Sequence, residues 1–163
     1  MVSAESGNSG DTRMNVGDML KDKATGAAVL TVTPDTPVLE AARILMTHRV
    51  GSVIVVERGR TVAGILTERD VVRGVFEKAN QCATLPVRKL MTADPVACRE
   101  DDSVDKVIHE MTSRRFRHMP VVDKADQLVG VISIGDVLKS KMEEAEGKAD
   151  DLEAMAGYLP ERS

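Results

Sequence analysis

One unit is written twice in this chain, and each copy closes on the same pattern. The first copy ends in Gly64-Ile65-Leu66-Thr67-Glu68-Arg69-Asp70 and the second in Gly130-Val131-Ile132-Ser133-Ile134-Gly135-Asp136. Asp136 follows Asp70 by 66 positions, and that offset runs back without a gap through Gly64/Gly130, Val55/Val121, Arg49/Arg115, Val38/Val104 and Asp35/Asp101. Further upstream, residues 16–20 echo residues 87–91 at an offset of 71, so the first copy carries five extra residues, placed within 21–28. A unit of roughly 55–65 residues buries too little surface to be stable alone. The two copies must therefore pack against each other, and two related subdomains imply two related sites.

Composition removes several function classes. The net charge of −4 is mild and gives no nucleic-acid footprint. The two cysteines, Cys82 and Cys98, stand apart, with neither the spacing of a metal site nor that of a disulfide framework. They fit a cytoplasmic, reducing compartment. No apolar run reaches the ~18–20 residues that a bilayer span needs. Residues 1–13 are rich in Ser, Gly, Asn and Asp, lack a signal-peptide pattern, and read as a disordered tail. Phe76, Phe116 and Tyr158 are the whole aromatic complement, so a ligand site must rest on aliphatic walls.

Within each copy the apolar periodicity changes in the same order. Val38, Ala41, Ala42 and Leu45 mark one face of a helix over residues 37–47, and Val104, Val107, Ile108 and Met111 repeat it. Helix starts are expected at Thr36 and at Asp102 or Ser103. β-Branched runs follow at residues 52–56 and 118–122, then polar turns, then second strands at 62–66 and 128–132. A second helix opens after Thr67 or Ser133. The expected fold is α/β (α+β), each copy a small sheet covered by two helices. The organisation reads as a tail at 1–13, a first motif at 14–79, a linker at 80–86, a second motif at 87–142 and an acidic helical extension at 143–163. Leu152, Met155, Ala156 and Leu159 predict a short amphipathic helix over residues 150–158 that docks on a partner subunit or on the body. Met14, Met19, Met46, Met91, Met111 and Met119 read as core filler. Cys98 reads as a buried apolar residue on a strand, and Cys82, in the linker, as exposed. His48 and His109 read as surface residues.

Thr67-x-x-Asp70 and Ser133-x-x-Asp136 have two readings. A hydroxyl followed three residues later by a carboxylate, at a strand-to-helix junction, is a capping box that needs no ligand. The same groups also suit a nucleotide, with the carboxylate accepting from ribose hydroxyls and the hydroxyl and helix N–H groups donating to phosphate. Recurrence in both copies, with a glycine three positions before the hydroxyl, favours the second reading. His118 reads either as a half-buried structural histidine or, beside Arg114, Arg115 and Arg117, as part of an anion site. No nucleophile with an acid–base partner is apparent, nor a Walker-type loop or metal cluster, so no catalytic or metal-ligating residue is assigned.

These residues together resemble the CBS-domain family. The resemblance runs from about Val16 to Leu138 and rests on Thr33-Pro34-Asp35, on Arg117-His118-Met119-Pro120-Val121-Val122-Asp123 and on both Gly-x-x-(Thr/Ser)-x-x-Asp endings. It implies a tandem pair (a Bateman module) with pseudo-twofold symmetry, clefts that bind an adenosine compound, and a homodimer. AMP is the leading candidate, with ADP, ATP, NAD(H) or S-adenosylmethionine as alternatives and no cofactor required. By the same resemblance Asp70 and Asp136 would hold ribose, and Thr67 and Ser133 ribose or phosphate. Thr31 within residues 30–33, and Val96 and Cys98 within 96–98, would meet the base beside Ile54, Met119 and Pro120. Arg69, Arg117 and His118 would neutralise phosphate. The first copy lacks the Arg117–His118 pair and the second has Gly135 in place of Arg69, so the clefts are expected to differ. The implied role is a non-enzymatic sensor acting on a protein partner, without nucleic acid or membrane. The rival is a ligand-free interaction module whose motifs are only caps.

Overall fold

The structure is a computed structural model and describes residues 14–23 and 29–156. In chain order the elements are α1 (Val16–Lys23), β1 (Thr31–Val32), α2 (Val38–His48), β2 (Ser52–Glu57), β3 (Thr61–Thr67) and α3 (Glu68–Lys78). Two 3-10 turns, Ala79–Thr84 and Val87–Lys89, lead to β4 (Thr92–Ala93), α4 (Val104–Arg114), β5 (His118–Val122), β6 (Leu128–Ser133) and α5 (Ile134–Ala156). The helical faces read from the sequence are the ones buried, with Val38, Ala41 and Leu45 in α2 and Val104, Val107 and Met111 in α4. Ser103 caps α4 by accepting from the Lys106 N–H at 3.2 Å. The expected cap at Thr36 is instead taken up by Thr33, whose N–H reaches Thr36 Oγ1 at 3.1 Å, and α2 starts one residue later behind Pro37.

Strands β1 to β4 form one sheet in sequence order, and β5 and β6 pair as a separate antiparallel hairpin. β1 runs parallel to β2, with Thr31 opposite Ile54. In the second copy that pairing shrinks to a single parallel bridge between Cys98 and Val121. Both hairpins shift register at equivalent places, between Val55 and Val56 and between Val121 and Val122.

The copies exchange their leading segments, and this locks the halves together. The N–H groups of Val16 and Gly17 donate to the carbonyls of Asp102 and Glu100 at 3.0 and 2.8 Å. Symmetrically, those of Val87 and Arg88 donate to Thr36 and Pro34 at 2.8 and 3.0 Å. Val16 and Met19 consequently bury in the second copy's core, and Val87 and Leu90 in the first copy's. The docked segments press on glycines: a Cβ on Gly74 would stand 2.4 Å from Leu90 Cδ1, one on Gly64 2.5 Å from Met91 Sδ, and one on Gly130 2.8 Å from Leu20 Cδ2. Ile54, Ile65 and Leu128 form a third apolar cluster between the halves. Each such fully buried side chain contributes about 1.5–3 kcal/mol.

Four expectations need correction. Residues 79–84 of the joining segment form a 3-10 turn, and Cys82, read as exposed, is buried against the first copy's core. Met46 is exposed on α2, because its position turns away from the sheet. Cys98 is buried as expected, but it makes only a single bridge instead of sitting in a full strand. The extension is not a separate short helix; α5 runs without a break from Ile134 to Ala156. Residues 1–13, 24–28 and 157–163, including Tyr158, Leu159 and most of the five-residue insertion, lie outside the described residues. Among the described residues no helix is long and apolar enough to cross a membrane.

Candidate functional site

Each repeat ending builds a complete capping box. The Asp70 N–H donates to Thr67 Oγ1 at 3.3 Å, and Asp70 Oδ2 accepts from Thr67 N and Oγ1 at 2.8 and 2.9 Å. Ser133 and Asp136 reproduce this at 3.2, 2.7 and 2.9 Å. The capping reading of the motif is therefore what the local geometry contains. Asp70 is only 7% exposed. Its second oxygen, Oδ1, accepts from Arg73 Nη2 at 3.0 Å, and the same nitrogen reaches the Leu90 carbonyl at 3.2 Å.

Two clefts lie between the copies, and each takes its walls from both. The larger, about 440 Å³, receives Thr67, Arg69, Asp70 and Arg73 from the first copy. Facing them from the second copy are Val96, Arg115, Phe116, Arg117 and His118. The smaller cleft, about 340 Å³, is bounded by Leu30, Arg49 and Gly51 on one side and by Gly130 and Ser133 on the other. His118 stands at the junction: it opens β5 opposite Ser133 at the end of β6, and it lines both clefts. Arg69 and the Arg117–His118 pair, which the sequence assigns to different clefts, thus meet in one. The inequivalence of the clefts is correspondingly larger than expected.

Of the twelve residues singled out from the sequence, the larger cleft gathers Thr67, Arg69, Asp70, Val96, Arg117 and His118. Ser133 lines the smaller cleft. Asp136 lines neither; it faces a shallow pocket beside Met14, Met19 and Lys139. Thr31 is exposed on β1, next to Leu30 at the edge of the smaller cleft. Met119, Pro120 and Cys98 are buried beneath the walls, since they belong to the sheet core. Burial, followed by the nearby Asp102 carboxylate, pushes the Cys98 thiol up to about 12, so it is a poor nucleophile.

Sequence reasoning missed Arg73 and Arg49, and it named Arg115 only as a neighbour of His118 in the anion reading. Arg73 was findable, since it stands one helical turn after Asp70 and such pairs meet. Arg49 and Arg115 both close their helices in the left-handed conformation, with φ of 53° and 57°, and both reach cleft walls. Left-handed non-glycine residues are uncommon and cluster at functional sites. Gly51 is shared by the two clefts with His118: a Cβ there would stand 2.9 Å from His118 Cε1, so only glycine lets the ring lie where it does. In the larger cleft Arg69, Arg73, Arg115 and Arg117 face Glu68, Asp70 and Asp94, a small cationic excess suited to a ligand that is anionic at one end. Among the described residues no cluster of metal-ligating side chains is present.

Known proteins share this architecture. A CBS domain-containing protein of Arabidopsis thaliana mitochondria, CBSX3, is 30% identical over 157 residues, 93% of this chain and 74% of that protein. The crystal structure of the CBS-domain containing protein ATU1752 from Agrobacterium tumefaciens is 39% identical, with a TM-score of 0.72 over 78% of this chain and 98% of that one. An inosine-5'-monophosphate dehydrogenase of Methanocaldococcus jannaschii is 34% identical over 113 residues, only 22% of its length. At 22% identity, two further structures share the fold. The CBS domain protein PAE2072 from Pyrobaculum aerophilum holds AMP (TM-score 0.66, 75% and 88% of the two chains). The CBS domain pair of protein MJ0100 holds 5'-methylthioadenosine and S-adenosylmethionine (TM-score 0.70, 81% and 98%). The CBS domain model matches residues 17–77 and 87–143, most of the sequence, and the chain belongs to the CBS-domain family as a tandem pair.

Proposed function

We propose that this chain is a non-catalytic regulatory module that binds an adenosine-containing nucleotide in the larger cleft. The observation that carries this reading is the convergence of Thr67 and Asp70 from one copy with Arg115, Arg117 and His118 from the other. A cleft of about 440 Å³ is within the range of small-molecule sites. Asp70 is the ribose anchor, Val96 and Ile65 pack on the base, and the arginines with His118 hold phosphate. AMP fits the modest cationic excess best; ATP and NAD(H) are the next candidates, and related folds hold AMP or S-adenosylmethionine. The ligand would bias the packing of the two copies only through different affinities for their arrangements. The signal would then pass to a protein partner or a second copy, in a reducing cytoplasm that suits two buried free thiols.

A second reading has its own support. The capping boxes are complete without a ligand, and Arg73 already occupies Oδ1 of Asp70. In that case the clefts are interfaces and the chain is an interaction module. A carboxylate oxygen has more than one lone pair, so a cap and a ribose contact can coexist. Calorimetric titration with AMP, ADP, ATP, NAD, NADH and S-adenosylmethionine separates the readings. Binding that is lost in Arg117→Ala with His118→Ala, and retained in Ser133→Ala, supports the nucleotide site. No heat and no thermal stabilisation with any of the six, in folded protein free of bound nucleotide, would leave the interaction module standing.

A further inference from the structure

Asp94 brings to the larger cleft a carboxylate that no hydrogen bond or ion pair engages among the described residues. It follows β4, and its N–H donates to the Ala63 carbonyl of β3 at 3.3 Å. It therefore stands level with a point four residues back from Thr67, about 13 Å at the rise of a strand. Thr92 pairs with Ile65, so strand alternation puts Ile65 and Thr67 on one face of this ribbon with Thr92 and Asp94. Those four line the cleft, and Leu66 and Ala93 between them do not. The other end of the ribbon is fixed at the start of α3. There the Glu68 N–H donates to the Gly51 carbonyl at 3.2 Å, and the His118 ring lies against Gly51. Arg69 and Arg117 gather at that end beside Glu68 and His118, and Asp94 stands at the opposite one. The backbone does not demand a charge at Asp94. Its φ of 45° is left-handed, which suits a short polar residue or glycine and is met equally by asparagine.

We infer that Asp94 is the residue that reads the base, its carboxylate accepting a hydrogen bond from the 6-amino group of adenine. The inference deepens the nucleotide reading above and rests on it. With phosphate at Arg117 and His118 and ribose at Asp70, a nucleoside monophosphate laid along the ribbon passes its base between Ile65 and Val96. The far edge of that base then reaches Asp94. An ionised carboxylate only accepts, so it takes an amino N–H. A 6-oxopurine turns a carbonyl oxygen to the same place, where two acceptors meet and neither regains the partner it had in water. Apolar walls such as Ile65, Pro95 and Val96 give no such choice between purines of equal shape. A polar group left unpaired by the wrong ligand discriminates far more strongly than shape does. The same carboxylate opposes a reversed ligand, because a phosphate at that end would face a like charge.

The test is calorimetric titration of the full chain with AMP, with IMP, and with purine riboside 5'-monophosphate, which is AMP without its 6-amino group. Wild type should bind AMP about tenfold more tightly than purine riboside monophosphate, the worth of one hydrogen bond to a charged group. IMP should bind no better than purine riboside monophosphate. Asp94→Gly keeps the left-handed turn and removes the acceptor, so it should bring AMP and purine riboside monophosphate within about twofold of each other. Asp94→Asn keeps an acceptor oxygen and should retain the preference for AMP. A role confined to the turn would leave that ratio unmoved in both variants. Equal binding of AMP and purine riboside monophosphate by wild type would overturn the inference, as would a preference that Asp94→Gly leaves intact. Either result keeps the nucleotide site in place. IMP binding as tightly as AMP would also overturn it, since the carboxylate would then read the N1–H of a 6-oxopurine. Neither heat nor thermal stabilisation with AMP, in folded wild type free of bound nucleotide, would remove the nucleotide reading and this inference together.

Discussion

Arg73 and Asp70 form an ion pair at 3.0 Å inside the larger cleft, and the carboxylate oxygen that Arg73 takes is the one the cap leaves over. A ribose must share or displace that contact. Replacing Arg73 with Gln should therefore tighten binding of uncharged adenosine by a few-fold, the worth of about one released hydrogen bond. For AMP the gain should be offset by the lost cation near the phosphate. Titration of wild type and Arg73→Gln with both compounds checks the difference. Weaker adenosine binding in the variant would instead make Arg73 a direct ligand contact.

The left-handed turn at Arg115 yields a prediction of opposite signs for stability and binding. Arginine at φ 57° is disfavoured, and glycine adopts that conformation without a Cβ penalty. Arg115→Gly should raise unfolding stability by about 1 kcal/mol while removing one cation from the cleft. Nucleotide affinity should fall with a smaller dependence on salt. Arg49→Gly is the control, since its φ of 53° is equivalent but it lines the other cleft. It should gain the same stability and leave binding in the larger cleft unchanged.

How far the sequence carries is clearest at these residues. The repeat offset, the helical faces of α2 and α4 and the limits of β5 follow from periodicity alone, because burial on one face imposes it. The caps at Thr67 and Ser133 are equally local. The crossing of the clefts is not local. It arises because each leading segment docks on the other copy, and nothing in the spacing of Val16 or Val87 says which core they enter. For the same reason Asp136, matched to Asp70 by position, lines no common site. Cys82 shows the other limit: a polar neighbourhood, Asn80-Gln81 before it and Thr84 after, hides a single buried side chain in a tight turn.

The Cys98 thiol gives a pH dependence with a fixed sign. Burial, then the Asp102 carboxylate, raises its folded value from 9.0 to about 12. A raised folded value means the contribution to stability is fully present below 9.0 and is lost as pH climbs from there toward about 12, because the unfolded chain releases the proton first. Thermal midpoints should thus fall across that window, and less so in Cys98→Ala. Independently, Cys98 in folded protein at pH 8 should react with iodoacetamide far more slowly than in denatured protein. Equal rates would place the thiol at the surface.

Gly147 interrupts the most helix-prone part of α5, and a Cβ there would meet nothing within 4 Å. Glycine inside a helix costs about 1 kcal/mol relative to alanine through backbone entropy alone. The substitution therefore adds no contact and removes none, and Gly147→Ala should act only by stiffening the helix around it. Helical content should rise, and thermal stability should gain up to about 1 kcal/mol. Circular dichroism with thermal unfolding of both chains checks this. An unchanged helical signal and an unchanged midpoint would mean that α5 does not continue past residue 147 in solution.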